Sequence, residues 1–239
     1  MPEQGEHIVR SYEEQLKKLR EMIARMGGLA ERQVADAAYA LVRRDTELAS
    51  EVIGRDGEID ALERDIENFC VRLLALRQPM ASDLRFIIAA MKVSNAIERI
   101  GDYARNCAKR AVVISQQPQI SSMTGFQWMA KLVQENLKEA IDSLLNQDAA
   151  AAERVWAADA NVDDVYNGIF RELLTHMMED ARNITAATHL LFVAKNYERI
   201  GDHATNIAET VFYAVRGGTL PEERPKGDTS AYAVVRPPV

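Results

Sequence analysis

The sequence predicts an all-α protein of six long helices, arranged as two pseudo-symmetric three-helix bundles. Three observations carry this. Apolar residues recur at helical spacing through most of the chain, a nine-residue motif in the third helical stretch returns in the sixth, and no stretch alternates apolar and polar residues between turn signals as a strand would. Composition agrees: of 239 residues only 12 are Gly and 7 Pro, while 47% are apolar and 27% charged. A chain of this length can bury about 70–75% of its unfolded surface. A disordered regulator and a disulfide-held miniprotein are both excluded.

The first helix runs from about Tyr12 to Arg44 on the apolar stripe Leu16, Leu19, Ile23, Met26, Leu29, Val34, Ala37, Ala38 and Leu41. Gly27 and Gly28 interrupt it. Each costs about 1 kcal/mol in a helix interior, so the pair marks either a kink or a close approach by another helix. Asp45 is an N-cap for the second helix, which carries Leu48, Val52, Ile59, Leu62, Ile66, Phe69, Leu73 and Leu76 and stops at Arg77-Gln78-Pro79. A third helix spans about Ser82 to Ser115, with Pro118 in the loop beyond it.

The second half repeats this plan. Glu98-Arg99-Ile100-Gly101-Asp102-Tyr103-Ala104-Arg105-Asn106 returns as Glu198-Arg199-Ile200-Gly201-Asp202-His203-Ala204-Thr205-Asn206, seven identities in nine at an offset of 100. Earlier in each half the offset is 103, matching Asp45 to Asp148, Asp56 to Asp159 and Asp60 to Asp163. The first half is therefore three residues longer between its second and third helices. Helices four to six are expected over about Thr124–Asn146, Asp148–Glu179 and Asn183–Arg216. The chain divides into a first repeat over 8–118, a second over 122–217 and a proline-containing tail over 218–239, expected to be flexible.

Charge narrows the function. The net charge is −7 and basic residues cluster no further than pairs such as Lys17-Lys18, so the basic stripe that a phosphate backbone requires is missing and nucleic acid is excluded as a partner. No apolar stretch approaches the roughly 20 residues of a membrane helix. Nor does the N-terminus carry a signal peptide, so no membrane insertion is expected and the protein is placed in the cytoplasm. Cys70 and Cys107 form no metal or redox spacing and are expected to be small buried hydrophobes.

Four acid-x-x-x-Asp steps occupy matching places: Asp56/Asp60 and Glu98/Asp102 in the first half, Asp159/Asp163 and Glu198/Asp202 in the second. Each pair shares a helix face, where like charges repel by about 0.2–0.5 kcal/mol. That face of the third helix lies away from the apolar seam Ile97, Ile100 and Ala104, so it is not expected to be core. If the second and third helices of a half lie side by side, their acids converge, with an amide oxygen from Asn106 or Asn206 as auxiliary donor. Oxygen-rich sets of this kind suit divalent or trivalent metal ions, Fe, Mn, Mg or Ca, with Zn also admitted. The alternative is a purely structural bundle whose acids are a solvated face neutralised by arginines. Arg105, three residues after Asp102, is placed to pair with it, whereas Thr205 in the second half cannot. Gly101 and Gly201 add a requirement for close approach to the helix backbone.

Other chemistry has little foothold. His7, His176, His189 and His203 are scattered, no Glu-x-x-His occurs, and the chain lacks GxxxxGK[ST], GxGxxG and GxSxG. A redox di-iron enzyme, nucleotide binding and acyl transfer are thereby disfavoured, with an oxygen-ligated metalloenzyme a distant third reading. Trp128, Trp156, Tyr166 and Phe170 are read as core or helix-interface residues.

The duplicated Glu-Arg-Ile-Gly-Asp-x-Ala-x-Asn, the Met26-Gly27-Gly28-Leu29 step and Arg77-Gln78-Pro79 followed by Ser82-Asp83-Leu84-Arg85 resemble the PhoU proteins, over about residues 8–216. The resemblance implies a helical accessory of the bacterial high-affinity phosphate transporter that represses the phosphate-starvation response and is not an enzyme. Implied partners are the ATPase subunit of the phosphate ABC transporter and a phosphate-sensing histidine kinase, reached from the cytoplasmic side of the inner membrane. A homo-oligomer, a homodimer, is expected. The family's metal-binding acids carry over onto Asp56, Asp60, Glu98, Asp102, Asp159, Asp163, Glu198 and Asp202, with Arg99 and Arg199 as candidates for ordering the acids or contacting an anion.

Overall fold

In the computed structural model, residues 3–120 and 123–220 are described, with side chains from Ser11 onward. The helices are α1 (Glu3–Arg43), α2 (Thr46–Arg77), α3 (Ala81–Ile114), α4 (Thr124–Asn146), α5 (Ala149–Glu179) and α6 (Ile184–Arg216), with a 3₁₀ turn at Ala181–Asn183 before α6. No strand forms among the described residues. The tail expected over 218–239 lies, from residue 221 on, outside them, as do residues 121–122 at the start of the second repeat.

The first turn of each half repeats as faithfully as the helices. Arg44 and Gln147 leave α1 and α4 in left-handed backbone, at φ 57° and 54°. Asp45 then accepts from the Leu48 amide at 3.0 Å, and Asp148 accepts from Ala150 and Ala151 at 2.9 and 3.1 Å, each aspartate capping the helix that follows. Gln78, at φ 46°, ends α2 ahead of Pro79. Arg44 also closes the far end of α3 by donating to the carbonyls of Ile114 (3.1 Å), Ser115 (2.6 Å) and Gln117.

Within the first half α2 packs on α1 and α3, within the second α5 packs on α4 and α6, and the halves meet through α3 on α6 and α1 on α4. One core runs through both, from Leu19, Ile23 and Met26 across Ile97, Ile100 and Met129 to Leu137 and Ile200. The pairing of α3 with α6 is antiparallel: Arg85 donates to the Ala214 carbonyl (3.0 Å), while Arg110 lies 3.2 Å from His189 and stacks on Phe192. That register lays the two copies of the motif across one another at the middle of the interface. There the Tyr103 and His203 rings stand 5.6 Å apart, with the Arg199 guanidinium over Tyr103.

The two glycines of α1 part company. The helix continues through both, so there is no break. At Gly27 an added Cβ would stand 2.6 Å from Ile141 Cδ1 of α4, whereas at Gly28 it would meet nothing within 4 Å. Close approach at Gly27 is thus the requirement, and Gly28 is simply exposed. Trp128, read as a core or helix-interface residue, is 49% exposed with Lys131 over its ring, while Tyr166 is buried. The two cysteines are free and buried as expected, and burial pushes both thiols up to about 12.

Candidate functional site

The acidic steps sit where α2 meets α3 and where α5 meets α6. Gly101 and Gly201 let those helices close in: an added Cβ would stand 3.0 Å from Ile59 at Gly101 and 3.3 Å from Val162 at Gly201. Ile59 and Val162 each lie three residues beyond the first Asp of their pair, so the same contact seats Asp56 and Asp159 against the motif helix.

That close packing buries them. Asp56, Asp159, Asp163 and Glu198 are all buried, which corrects the expectation of an acidic face lying outside the core and removes the picture of uniformly solvated acids. Asp60 and Asp102 are half-buried, as is Asp202. The physical reason is that a helix in a two-layer packing has no single inside. The apolar seam of α3 and α6 faces one neighbour and the acids face another.

In the first half the buried carboxylate is answered in full. Gln33 Nε2 of α1 donates to Asp56 Oδ1 (3.0 Å) and to the Gly101 carbonyl (3.1 Å), and the Arg105 guanidinium donates to the other Asp56 oxygen and to Asp102 (2.6 Å). Burial still pushes the Asp56 carboxyl above its usual range, against the Gln33 bond and the Arg105 charge. Glu98, whose side chain is 23% exposed, faces Arg99 at 3.6 Å. Its carboxyl is raised first by burial and then by the charge of Asp102, with Asp60 and Glu63 adding to it.

The second half solves the problem differently. Thr205 Oγ1 lies 3.0 Å from Asp159 Oδ1 and 3.1 Å from the Gly201 carbonyl, so its one proton is shared between the two acceptors that match those served by the Gln33 amide in the first half. Lys195, at the position of Asn95, donates to Glu198 Oε1 (2.8 Å) and lies 5.0 Å over the Tyr166 ring. The other Glu198 oxygen, Oε2, is buried with no hydrogen-bond partner. Burial raises the Glu198 carboxyl, opposed by the Lys195 bond and reinforced by the charges of Asp202 and Asp163.

As metal ligands these sets are incomplete without movement. Among the described residues no three His, Cys, Asp or Glu side chains are gathered closely enough to hold one ion as they stand. In the first half Arg105 already fills the space between the α2 and α3 acids. In the second, Lys195 stands against Glu198 and one Glu198 oxygen is buried without a hydrogen-bond partner. Asn106 is half-buried and Asn206 exposed, while Arg199 leaves its acids for the Tyr103 ring.

Sequence reasoning missed Gln33 and Lys195. A signal for the first was present, since Gln33 falls in the apolar stripe of α1 and matches Asn136, also buried, at the 103-residue offset. Elsewhere, a groove of about 480 Å³ opens between α3 and α6, with Leu84, Ile88, Lys92 and Tyr213 on its walls. Among the described residues no helix is long and apolar enough to cross a membrane.

The PhoU domain model matches residues 23–111 and 126–211. A protein of Caulobacter vibrioides named phosphate-specific transport system accessory protein PhoU homolog is 51% identical over 224 residues, 93% of this chain and 97% of that protein. The crystal structure of PhoU from Pseudomonas aeruginosa superposes with a TM-score of 0.82 at 41% identity, covering 87% of this chain and all of that one. The phosphate transport system regulatory protein PhoU from Streptococcus pneumoniae superposes at 0.81 with 29% identity, covering 88% and 99%. With two domain matches falling on the two helical repeats, and identity at this level over nearly the whole length, the chain belongs to the PhoU family.

Proposed function

We propose that this chain is a metal-binding regulatory adaptor of phosphate uptake that works through protein contacts and catalyses no reaction. One observation carries the reading: the chain matches, over nearly its whole length, proteins named as accessory or regulatory components of phosphate transport systems. On this reading it acts in the cytoplasm, as a homodimer peripheral to the inner membrane through its partners. Those are the ATPase subunit of the phosphate ABC transporter and a phosphate-sensing histidine kinase. It represses the phosphate-starvation response when phosphate is plentiful and modulates high-affinity uptake. Long helices with lateral surface suit docking into a partner's groove, and the half-exposed Leu84, Ile88 and Tyr213 of α3 and α6 supply apolar contact area.

The metal belongs to the acidic steps. A cation there relieves the repulsion among buried carboxylates and stabilises the folded state by mass action. The test is genetic and biochemical. Deleting the gene should make phosphate-responsive transcription constitutive in phosphate-rich medium, and the purified chain should retain the transporter ATPase or the kinase in pull-downs. Transcription that stays repressed, with neither partner retained, overturns the adaptor reading.

A further inference from the structure

The antiparallel pair α3 and α6 is filled at one end and open at the other. Where α3 ends, Arg110 stacks on Phe192 and lies 3.2 Å from His189, so the chain's own side chains close the gap between the helices. The matching positions, 100 residues away, carry the smaller or unstacked Thr210, Lys92 and Ala89. There the gap is the groove of about 480 Å³, walled by Leu84, Ile88, Ala89, Lys92, Tyr213 and Thr219. Leu84, Ile88 and Tyr213 are 37%, 38% and 46% exposed, which gives the groove an apolar wall in contact with water.

The chain leaves the second half along this groove. Thr219 stands on its wall and Leu220 is buried. In the first half the segment after α3 folds back over the neighbouring helix: Pro118, Gln119 and Ile120, the last the counterpart of Leu220, share a small cavity with Ala186 and Leu190 of α6. Residues 221–239 follow Leu220. The first ten are polar, charged, glycine or proline, and then come Ala231, Tyr232, Ala233, Val234 and Val235. Taking such an apolar run out of water is favourable wherever an apolar surface lies within reach. The 12 steps from Thr219 to Ala231 span up to about 40–43 Å, against about 12 Å of helix from Leu84 to Lys92. Reach is not limiting.

We propose that residues 231–235 of the chain's own tail dock in the α3/α6 groove, with Tyr232 against the apolar wall of Leu84, Ile88 and Tyr213, and occupy the space that Phe192 and Arg110 fill at the other end of the pair. A tether of this length holds the tail at an effective concentration of about 1 mM or more, so a contact too weak to persist between separate molecules is enough. On the proposed function, a partner that takes this face displaces the tail. The contact itself does not depend on that reading.

Disulfide trapping in the purified full chain tests this, with Cys70 and Cys107 left in place because both are buried. Ala233→Cys is combined with Lys92→Cys or with Thr210→Cys on the groove, and with Met80→Cys as the control. Met80 is 81% exposed and stands just before α3, outside the groove and near the end of α6. On mild oxidation the faster of the two groove pairs should close an intrachain disulfide at least tenfold faster than the control pair. Adding Tyr232→Ser and Val234→Ser, which leave the six helices untouched, should remove that advantage. Rates equal to the control, or an advantage that survives the two serines, would overturn the inference. A disulfide formed mainly between chains, read from the mass of the product, would assign the groove to another copy's tail and overturn it as well. None of these results bears on the deletion phenotype, so the adaptor reading stands or falls separately.

Discussion

Arg105 and Thr205 hold the same place in the two repeats and answer the same buried aspartate in different currencies. Arg105 gives Asp56 a full positive charge and reaches on to Asp102, while Thr205 gives Asp159 a single hydroxyl bond of 3.0 Å. Everything around them follows suit. Gln33 supports Asp56 from α1, and in the second half a lysine ten residues before Thr205 supplies the positive charge instead.

Arg105→Ala should therefore destabilise the protein more than Thr205→Val. Removing one partner of a buried ion pair strands the other; for a guanidinium still 29% exposed the cost is about 3 kcal/mol. A hydroxyl bond to a carboxylate is worth about 1.5–3 kcal/mol, and Thr205 stands at the lower end because its one proton is shared with the Gly201 carbonyl. Urea unfolding of the two variants checks this, and equal losses would show that Arg105 does not support the first half as described.

Gly27→Ala and Gly28→Ala should have opposite signs. Both replace a mid-helix glycine and gain about 1 kcal/mol of helix propensity. At Gly27 the new methyl collides with Ile141, 2.6 Å away and itself buried, and overpacking of this kind costs about 1–3 kcal/mol. Gly28→Ala should raise the melting temperature and Gly27→Ala should lower it, and calorimetry would show both.

On the proposed reading, metal should raise the melting temperature through the acidic steps. At a free concentration about a hundred times Kd the gain is about 2.7 kcal/mol, or about 5–10 °C for a chain of this size. Asp102→Ala and Asp202→Ala together should abolish the rise. An undiminished rise in the double variant would remove these acids from the site.

Both thiols should resist modification until the protein unfolds. Burial raises each to about 12, so at pH 8 almost no thiolate exists in the folded state, against a substantial fraction in the unfolded chain. The sign for stability follows. A folded-state value above the unfolded one contributes stability that is complete below about pH 8.5 and is lost as pH rises from there towards 12. Replacing Cys70 and Cys107 by Ala should flatten the alkaline loss over that window. Fast labelling of the native protein at pH 8 by a thiol reagent would contradict the burial.

The sequence by itself determined the helices, their caps and the twofold repeat, because these depend on residues within a few positions of one another. The spacing of apolar residues sets each helix. Asp45 and Asp148 cap with their own side chains, and the 100- and 103-residue offsets are arithmetic on one string. It also placed each acid-x-x-x-Asp pair on one face, since a separation of four is one turn. Burial was beyond it. Whether Asp56, Asp159 and Glu198 meet water depends on how closely α2 and α5 approach α3 and α6, which Gly101 and Gly201 permit but do not dictate. Likewise the choice between kink and contact at Gly27 was settled by Ile141, more than a hundred residues away. Only the tertiary structure put the Gln33 amide on Asp56 and left one Glu198 oxygen without a partner, because both depend on which side chain reaches a shared space first when distant helices close around it.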